Sequence, residues 1–205
     1  ILESDPRGLL DLPPGFQYRV LSSLGDMMSD GGTVPDKADG MGCFDLGEGR
    51  IALVRNHELV STDDGGGAFS LGFGQKDGRF VPGGTTHIIL DQVTMEVSQQ
   101  FRSLGGTIRN CSGGITPWGS WLSCEESPTG PGQKYGEGLQ QNHGWVFEVP
   151  AAVSGLIDPA PLVAMGRFNH EAACVDAATG YAYLTEARDD SVLHRLVPKV
   201  KSRLG

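Results

Sequence analysis

A pattern of two short apolar segments joined by a glycine-containing turn occurs three times in this chain. The copies occupy residues 39–58, 110–126 and 170–186. A short apolar segment bounded by turn residues is typical of a β-strand, and two such segments in succession predict a hairpin. Each copy ends on a glutamate, at Glu58, Glu125 and Glu186. The pattern therefore predicts three hairpins, each of which carries a carboxylate at the end of its second strand.

The spacing of these hairpins predicts a β-propeller. Successive glutamates lie 67 and 61 residues apart, which suits propeller blades that carry loop insertions. Two more strand candidates follow each of the first two hairpins, namely THIILDQV and MEVSQQF, then GWVFEVP and PLVAMGRF. Four strands form one blade, and the first strand of each blade lines a central channel. We predict an all-β chain of about three four-stranded blades, residues 39–107, 108–168 and 169–205, from a larger, six-bladed ring.

The composition agrees with this fold class. The chain has 31 glycines among 205 residues, about twice the usual share of roughly 7%, and β-rich folds use glycine in turns and bulges. No segment keeps a helical period over twelve residues. Two inserts rich in glycine and polar residues, 61–84 and 127–144, follow the second strands of their units. We expect them to form a cap over one face of the sheets.

The charge of the chain excludes some classes of partner. A net charge of -9 argues against binding nucleic acid, which requires clustered lysine and arginine. Acidic groups gathered on one surface suit hard cations instead. No apolar run approaches the roughly 20 residues of a membrane-spanning helix. The chain also lacks an initiator methionine and a signal peptide, so we expect it to be processed or truncated.

The four cysteines do not have zinc-type spacing. Cys43, Cys124 and Cys174 lie in apolar strands, where a thiol usually behaves as a small buried hydrophobic group. Cys111 lies ahead of its strand, in the segment Arg-Asn-Cys-Ser-Gly-Gly, beside glycines that let the backbone approach a site closely. Its thiolate is therefore a candidate metal ligand.

Seven segments along the chain carry a further signal: GDMMSDGGTVPDKADGM, LVRNHEL, GGTTHIILD, RNCSGGITPWGSWLSCEE, HGWVFEV, MGRFNHEA and YLTEARDD. Together they resemble the PhoX-type alkaline phosphatase family. The resemblance is collinear from about Leu12 to Pro198. It implies a large β-propeller whose central site holds two Fe³⁺ ions and calcium, and which hydrolyses phosphate monoesters. It also implies export to the periplasm or beyond by the twin-arginine route.

The resemblance assigns a set of metal ligands. Cys111 is similar to the family's iron-ligating cysteine, and four glutamates match carboxylates that bind iron or calcium: Glu58, Glu125, Glu171 and Glu186. Oxygen ligands suit calcium and ferric iron, while a single thiolate suits iron. Glu126 is less favoured than Glu125 because adjacent strand residues face opposite sides of a sheet.

Two histidines precede candidate ligands. His57 and His170 are expected to hydrogen-bond a carboxylate or a backbone carbonyl beside the metals, and direct ligation is the alternative. Asp39 begins the first repeat and is a candidate for the channel wall, although aspartate before glycine is often only a turn residue.

Arg188 is the candidate for binding the substrate phosphate, because its guanidinium fork matches two phosphoryl oxygens. An exposed ion pair with Asp189 or Asp190 is the alternative. Trp118 is a packing or turn residue, or else donates its indole N–H to the phosphate.

The resemblance implies a metal-dependent phosphatase that acts on small phosphate monoesters by metal-assisted phosphoryl transfer, without a serine nucleophile. A calcium-dependent lactonase or esterase and a non-catalytic cell-surface propeller are the alternatives. Cys111 argues against the lactonase, because calcium has little use for sulfur. Three blades are half of a six-bladed ring, so we expect either a fragment or a short form that self-associates through its open edges.

Overall fold

The computed structural model describes residues 2–201, 203 and 204, and its regular structure is almost entirely β. The strands are β1 (Ala38–Gly47), β2 (Arg50–His57), β3 (Gln75–Lys76), β4 (Arg79–Phe80), β5 (Gly83–Asp91), β6 (Val97–Thr107), β7 (Asn110–Ile115), β8 (Ser120–Glu125), β9 (Val146–Pro150), β10 (His170–Val175), β11 (Ala182–Glu186) and β12 (His194–Leu196). A single 3₁₀ turn spans Val163–Met165. In this part of the chain no helix is long and apolar enough to cross a membrane.

Three antiparallel sheets follow one another along the chain. The first has the order β1-β2-β5-β6, the second β7-β8-β9 and the third β10-β11-β12, while β3 and β4 form a small separate hairpin. Each of the three sheets starts with one of the predicted hairpins. The all-β class and the sequence of propeller-like blades are confirmed.

The expected four strands are present only in the first sheet. The segment PLVAMGRF, predicted as the fourth strand of the second unit, is not a strand, and the prediction is wrong there. It makes one bridge, between Pro161 and Phe147, and then enters the 3₁₀ turn. Proline has no N–H to continue a ladder. The third sheet has three strands in the described residues, and Gly205 lies outside them.

The first strands of the three sheets lie side by side. β7 contacts β1 on one side and β10 on the other. Glycine makes this approach possible: a Cβ added to Gly114 of β7 would lie 1.8 Å from the carbonyl oxygen of Ala173 in β10. A Cβ on Gly40 of β1 would lie 2.8 Å from the Cα of Ser112. The three innermost strands therefore converge, as expected for strands around a propeller axis.

A bulge occurs at the same place in each innermost strand. The residue pairs that precede it are Ala38 with His57, Asn110 with Glu125, and His170 with Glu186. The register then shifts before Met41, Gly113 and Ala173 respectively. Bulges re-aim side chains and are common beside active sites. The first residues of the three bulged segments are Asp39, Cys111 and Glu171.

The backbone beyond each pair corrects the alignment of the repeats. The N–H of Glu58 donates to the carbonyl of Lys37, that of Glu126 to Arg109, and that of Ala187 to Asn169. The three bonds are equivalent, because each acceptor directly precedes the first strand of its sheet. Glu58 therefore corresponds to Glu126. The sequence pattern had instead aligned Glu58 with Glu125 and Glu186, which lie one position earlier in their hairpins and correspond to His57.

The two inserts contact each other. Lys76 of the first insert forms a bridge with Leu139 of the second. The N–H of Gln140 donates to the carbonyl of Gln75 at 2.9 Å. Both inserts follow the second strands of their sheets, so they meet at the strand ends that carry Glu58 and Glu126.

The core follows the alternation of the strands. One cluster centres on Phe44, Trp121 and Phe147 between the first two sheets, and a second on Leu122 and Leu184 between the second and third. Cys124 is buried as predicted, but Cys43 and Cys174 are exposed. Each lies next to a buried residue in its strand, and successive strand residues face opposite sides.

Candidate metal centre

Three side chains meet where the innermost strands converge. The Sγ of Cys111 lies 3.4 Å from Oε1 of Glu171. One ligand atom from each of Cys111, Glu126 and Glu171 lies within 4.8 Å of the other two. Two atoms that bind one cation at about 2.3 Å lie at most roughly 4.6 Å apart, so the three residues form a candidate site for a single ion. Asp39 is adjacent, with Oδ2 at 3.9 Å from the thiol.

The hairpin geometry explains why these residues meet. Asp39, Cys111 and Glu171 occupy the same bulge in three neighbouring strands, whereas Glu126 follows the last residue of β8. A bulge turns a side chain out of the regular alternation. Residues more than 70 positions apart in sequence therefore contribute to one acidic cluster, defined here as Asp39, Glu58, Cys111, Glu126 and Glu171.

Arg109 joins Glu58 to this acidic cluster. Its Nε and Nη2 donate to Oε1 of Glu58 at 2.9 and 2.7 Å, and Nη2 also donates to Oε2 of Glu126 at 2.6 Å. Its φ of 49° is unusual for a residue other than glycine. Its N–H donates to the carbonyl of Leu59, which fixes the link between β6 and β7. Sequence reasoning missed Arg109, although it begins the RNCSGG segment.

The charges of the acidic cluster suit a cation. Burial raises the pKa of the Cys111 thiol well above its usual range, and the carboxylates of Asp39 and Glu171 raise it further. Burial also raises the pKa of Glu126; Arg109 opposes that shift, and the neighbouring Glu58 adds to it. A bound cation favours the thiolate and the carboxylate forms of such groups. The donor set, one thiol with several carboxylates, therefore fits a metal ion.

The structure directs Glu125 away from the acidic cluster. This side chain is fully buried. Its Oε1 accepts hydrogen bonds from the N–H of Ile108 at 2.8 Å and from Nδ1 of His143 at 2.7 Å. Its Oε2 accepts from the N–H groups of Gly144 and Trp145 at 2.7 and 3.1 Å. Because adjacent strand residues face opposite sides, Glu126 and not Glu125 reaches Cys111.

Glu186, the third glutamate predicted as a ligand at a strand end, also contacts residues outside the acidic cluster. Oε2 of Glu186 lies 3.9 Å from Nε2 of His194, and Glu186 is not among the three residues that meet at the thiol. Arg188 is exposed, and its Nε donates to Oδ1 of Asn169 at 2.8 Å. Asn169 in turn donates to the carbonyl of Glu126 at 2.6 Å. Arg188 is thus linked to the acidic cluster through one residue rather than lying in it.

Both predicted histidines hydrogen-bond to backbone carbonyls. Nδ1 of His57 lies 2.9 Å from the carbonyl of Asp36, and its Nε2 lies 2.9 Å from the hydroxyl of Thr86. Nε2 of His170 lies 3.1 Å from the carbonyl of Gly166. Burial lowers the pKa of each imidazole to about 4. These neutral rings brace the strand ends that carry Glu58 and Glu171.

Trp118 does not present its N–H to the acidic cluster. Its Nε1 donates to Oε1 of Glu148 at 2.6 Å, and the ring packs against the second core cluster. Trp121 is buried and donates to Oδ1 of Asn56 at 2.9 Å. Both tryptophans are packing residues here.

The fold and the site together define an all-β protein that gathers carboxylates and one thiol where the innermost strands of successive sheets meet. The family model described as alkaline phosphatase PhoX matches residues 1–90 and 85–205. The chain belongs to this family of alkaline phosphatases, which act on phosphate esters. No curated protein and no solved structure matches this chain.

Proposed function

We propose that this chain provides metal-binding residues of a phosphatase that hydrolyses phosphate monoesters with iron and calcium. The observation that carries the proposal is the meeting of Cys111, Glu126 and Glu171 within 4.8 Å. We assign these three residues as ligands, with Asp39 and Glu58 as the nearest further carboxylates. Glu125 and Glu186 are no longer proposed as ligands of the same ion, because their carboxylates have other partners.

The choice of ions follows from the ligand types. Carboxylate oxygens suit calcium and ferric iron, while the Cys111 thiolate favours a transition metal over calcium. Such ions neutralise phosphoryl oxygens and lower the pKa of bound water. The thiol is the observation that separates this proposal from a lactonase with calcium alone.

The chain's own residues would position the ester. Arg109 holds the Glu58 and Glu126 carboxylates in one orientation, so that both are fixed before substrate arrives. Arg188 is exposed, and a guanidinium has five N–H donors, of which the bond to Asn169 uses one. We propose that its remaining donors bind a phosphoryl oxygen and stabilise negative charge during transfer.

We further propose that the protein works in the periplasm or outside the cell, because members of the family that it resembles are typically exported. Its substrates would be small phosphate monoesters.

The test is to measure iron and calcium by elemental analysis of the purified chain, together with hydrolysis of p-nitrophenyl phosphate before and after chelation. We expect bound iron, and activity that is lost on chelation and recovered with both ions. Cys111→Ser should lose iron, whereas Cys43→Ser, which changes an exposed thiol outside the acidic cluster, should keep it. Hydrolysis that continues unchanged after chelation would rule out a metal-dependent reaction. Calcium without iron and without phosphatase activity would favour a non-catalytic propeller.

A further inference from the structure

A cleft of about 440 Å³ opens between the two inserts. The first insert and the residue before it contribute Val60, Ser61, Thr62 and Lys76, and the second contributes Ser127, Thr129, Tyr135 and Glu137. The link between β6 and β7, residues Ile108 and Arg109, completes the wall. Small-molecule sites in proteins usually measure about 300–1,000 Å³, so this cleft is large enough for a metabolite.

One residue of the cleft wall, Arg109, contacts the acidic cluster. Arg109 lines the cleft, and its guanidinium contacts Glu58 and Glu126 of the acidic cluster. A molecule in the cleft is therefore adjacent to the candidate metal centre. A larger cavity of about 870 Å³ lies within the first insert, but neither Arg109 nor any residue of the acidic cluster lines it.

The residue types that line the cleft suit an alcohol that contains a ring, such as an aryl or sugar-like alcohol. Val60 and Ile108 provide an apolar surface. The Tyr135 ring, 71% exposed, is available for stacking on the face that Nζ of Lys134, 4.7 Å from the ring centroid, does not cover. The hydroxyl groups of Ser61 and Ser127 can exchange hydrogen bonds with a polar substituent. A few polar groups in a partly apolar wall are typical of a ligand site.

A phosphate monoester has two parts, and the acidic cluster accounts for only one. The phosphoryl group would bind at the metal centre, and the organic group must then lie on an adjacent surface. We propose that this cleft binds the organic group of the ester and favours esters of ring-shaped alcohols, aryl or sugar-like, over short alkyl esters. The proposal rests on the proposed phosphatase function and adds to it the class of substrate.

The test combines binding with turnover. Dissociation constants of benzylphosphonate and methylphosphonate are measured by calorimetry on the iron- and calcium-loaded chain, for the native protein and for Tyr135→Ala. Phe16→Ala is the matched control, because Phe16 is 70% exposed and does not line the cleft. KM values for p-nitrophenyl phosphate and methyl phosphate are compared in the same proteins.

We expect benzylphosphonate to bind more tightly than methylphosphonate. Tyr135→Ala should weaken benzylphosphonate about two- to tenfold, the range for one aromatic contact, and should leave methylphosphonate unchanged. In Tyr135→Ala the KM for p-nitrophenyl phosphate should rise, while its kcat and the KM for methyl phosphate stay unchanged. Phe16→Ala should have the dissociation constants and KM values of the native protein.

The two proposals can fail separately. If Tyr135→Ala weakens both phosphonates equally, or weakens neither, the cleft does not bind the organic group, even if the chain hydrolyses esters. Tyr135-dependent binding without turnover would support the cleft and contradict the phosphatase proposal. Absence of binding and of turnover in the metal-loaded chain would overturn both.

Discussion

Exchanging each glutamate of the pair Glu125–Glu126 for glutamine separates a structural carboxylate from a metal-binding one. Glu125 is fully buried and accepts four hydrogen bonds, two on each oxygen. Glu126 is half-buried and faces Cys111 and Arg109. The two substitutions are chemically identical and one residue apart, so each serves as the control for the other.

The expected cost of Glu125→Gln follows from its four donors. An amide has one acceptor oxygen, and in its better orientation the NH₂ group faces the N–H of Ile108 and donates to Nδ1 of His143 in the other imidazole tautomer. One buried hydrogen bond to the side chain is then lost, at about 1.5–3 kcal/mol. The free energy of unfolding should fall by about 1.5–3 kcal/mol, or roughly 3–12 °C in Tm for a chain of this size.

Glu126→Gln should leave stability nearly unchanged. It weakens one partly exposed ion pair, which typically contributes at most about 1 kcal/mol, and Arg109 keeps its bonds to Glu58. It should instead lower the affinity for iron, because a carboxylate ligand is lost. Stability is measured by urea and thermal unfolding in the metal-free state, followed by circular dichroism, and iron affinity by competition with a chelator.

The reasoning would be refuted by the reverse pattern. If Glu125→Gln unfolds within 1 kcal/mol of the native protein and loses iron, while Glu126→Gln keeps iron, then Glu125 is the ligand.

Three further predictions concern the thiol, pH and packing. Cys111→Ser should lower affinity for iron at least tenfold but change calcium affinity little, because calcium prefers oxygen; equal losses for both ions, measured by titration, would contradict a thiolate–iron bond. Burial lowers the pKa of His87 to about 4, so the unfolded chain binds protons below about pH 6.5 that the folded chain does not. The free energy of unfolding should therefore fall by up to about 3 kcal/mol for this group as the pH is lowered from 6.5 to 4. His87→Leu should reduce that fall, measured by urea unfolding at each pH. An identical pH profile in the variant would show that His87 does not titrate this way. Gly114→Ala should destabilise the contact between the second and third sheets, because the added Cβ would lie 1.8 Å from the carbonyl of Ala173; unchanged thermal unfolding would show that the two strands can separate without cost.

Much of the fold could be predicted because strands are encoded locally. The three hairpins and the strands that follow the first of them are all present. The segment PLVAMGRF was the exception, since its apolar residues look like a strand while Pro161 cannot donate to a ladder.

The candidate site was less predictable, and the glutamate pair shows why. Sequence alignment treated Glu58, Glu125 and Glu186 as equivalent because each ends an apolar segment. In the structure the first residues of β1, β7 and β10 pair with His57, Glu125 and Glu186, so that Glu126 corresponds to Glu58. A change of one position moves a side chain to the opposite face. Arg109 was missed for a similar reason, since its role depends on contacts with carboxylates 51 and 17 residues away.

The sequence by itself determined the all-β class, the three hairpins and the family, and it made Cys111 a candidate ligand, because these depend on local patterns and motifs. Only the tertiary structure decided which carboxylates reach Cys111, which glutamate is instead buried as an anchor, and where a cleft adjoins the acidic cluster. The physical reason is that these properties depend on bulge register and on contacts between separate sheets. The short apolar segments specify strands, but they do not specify which face each terminal side chain takes.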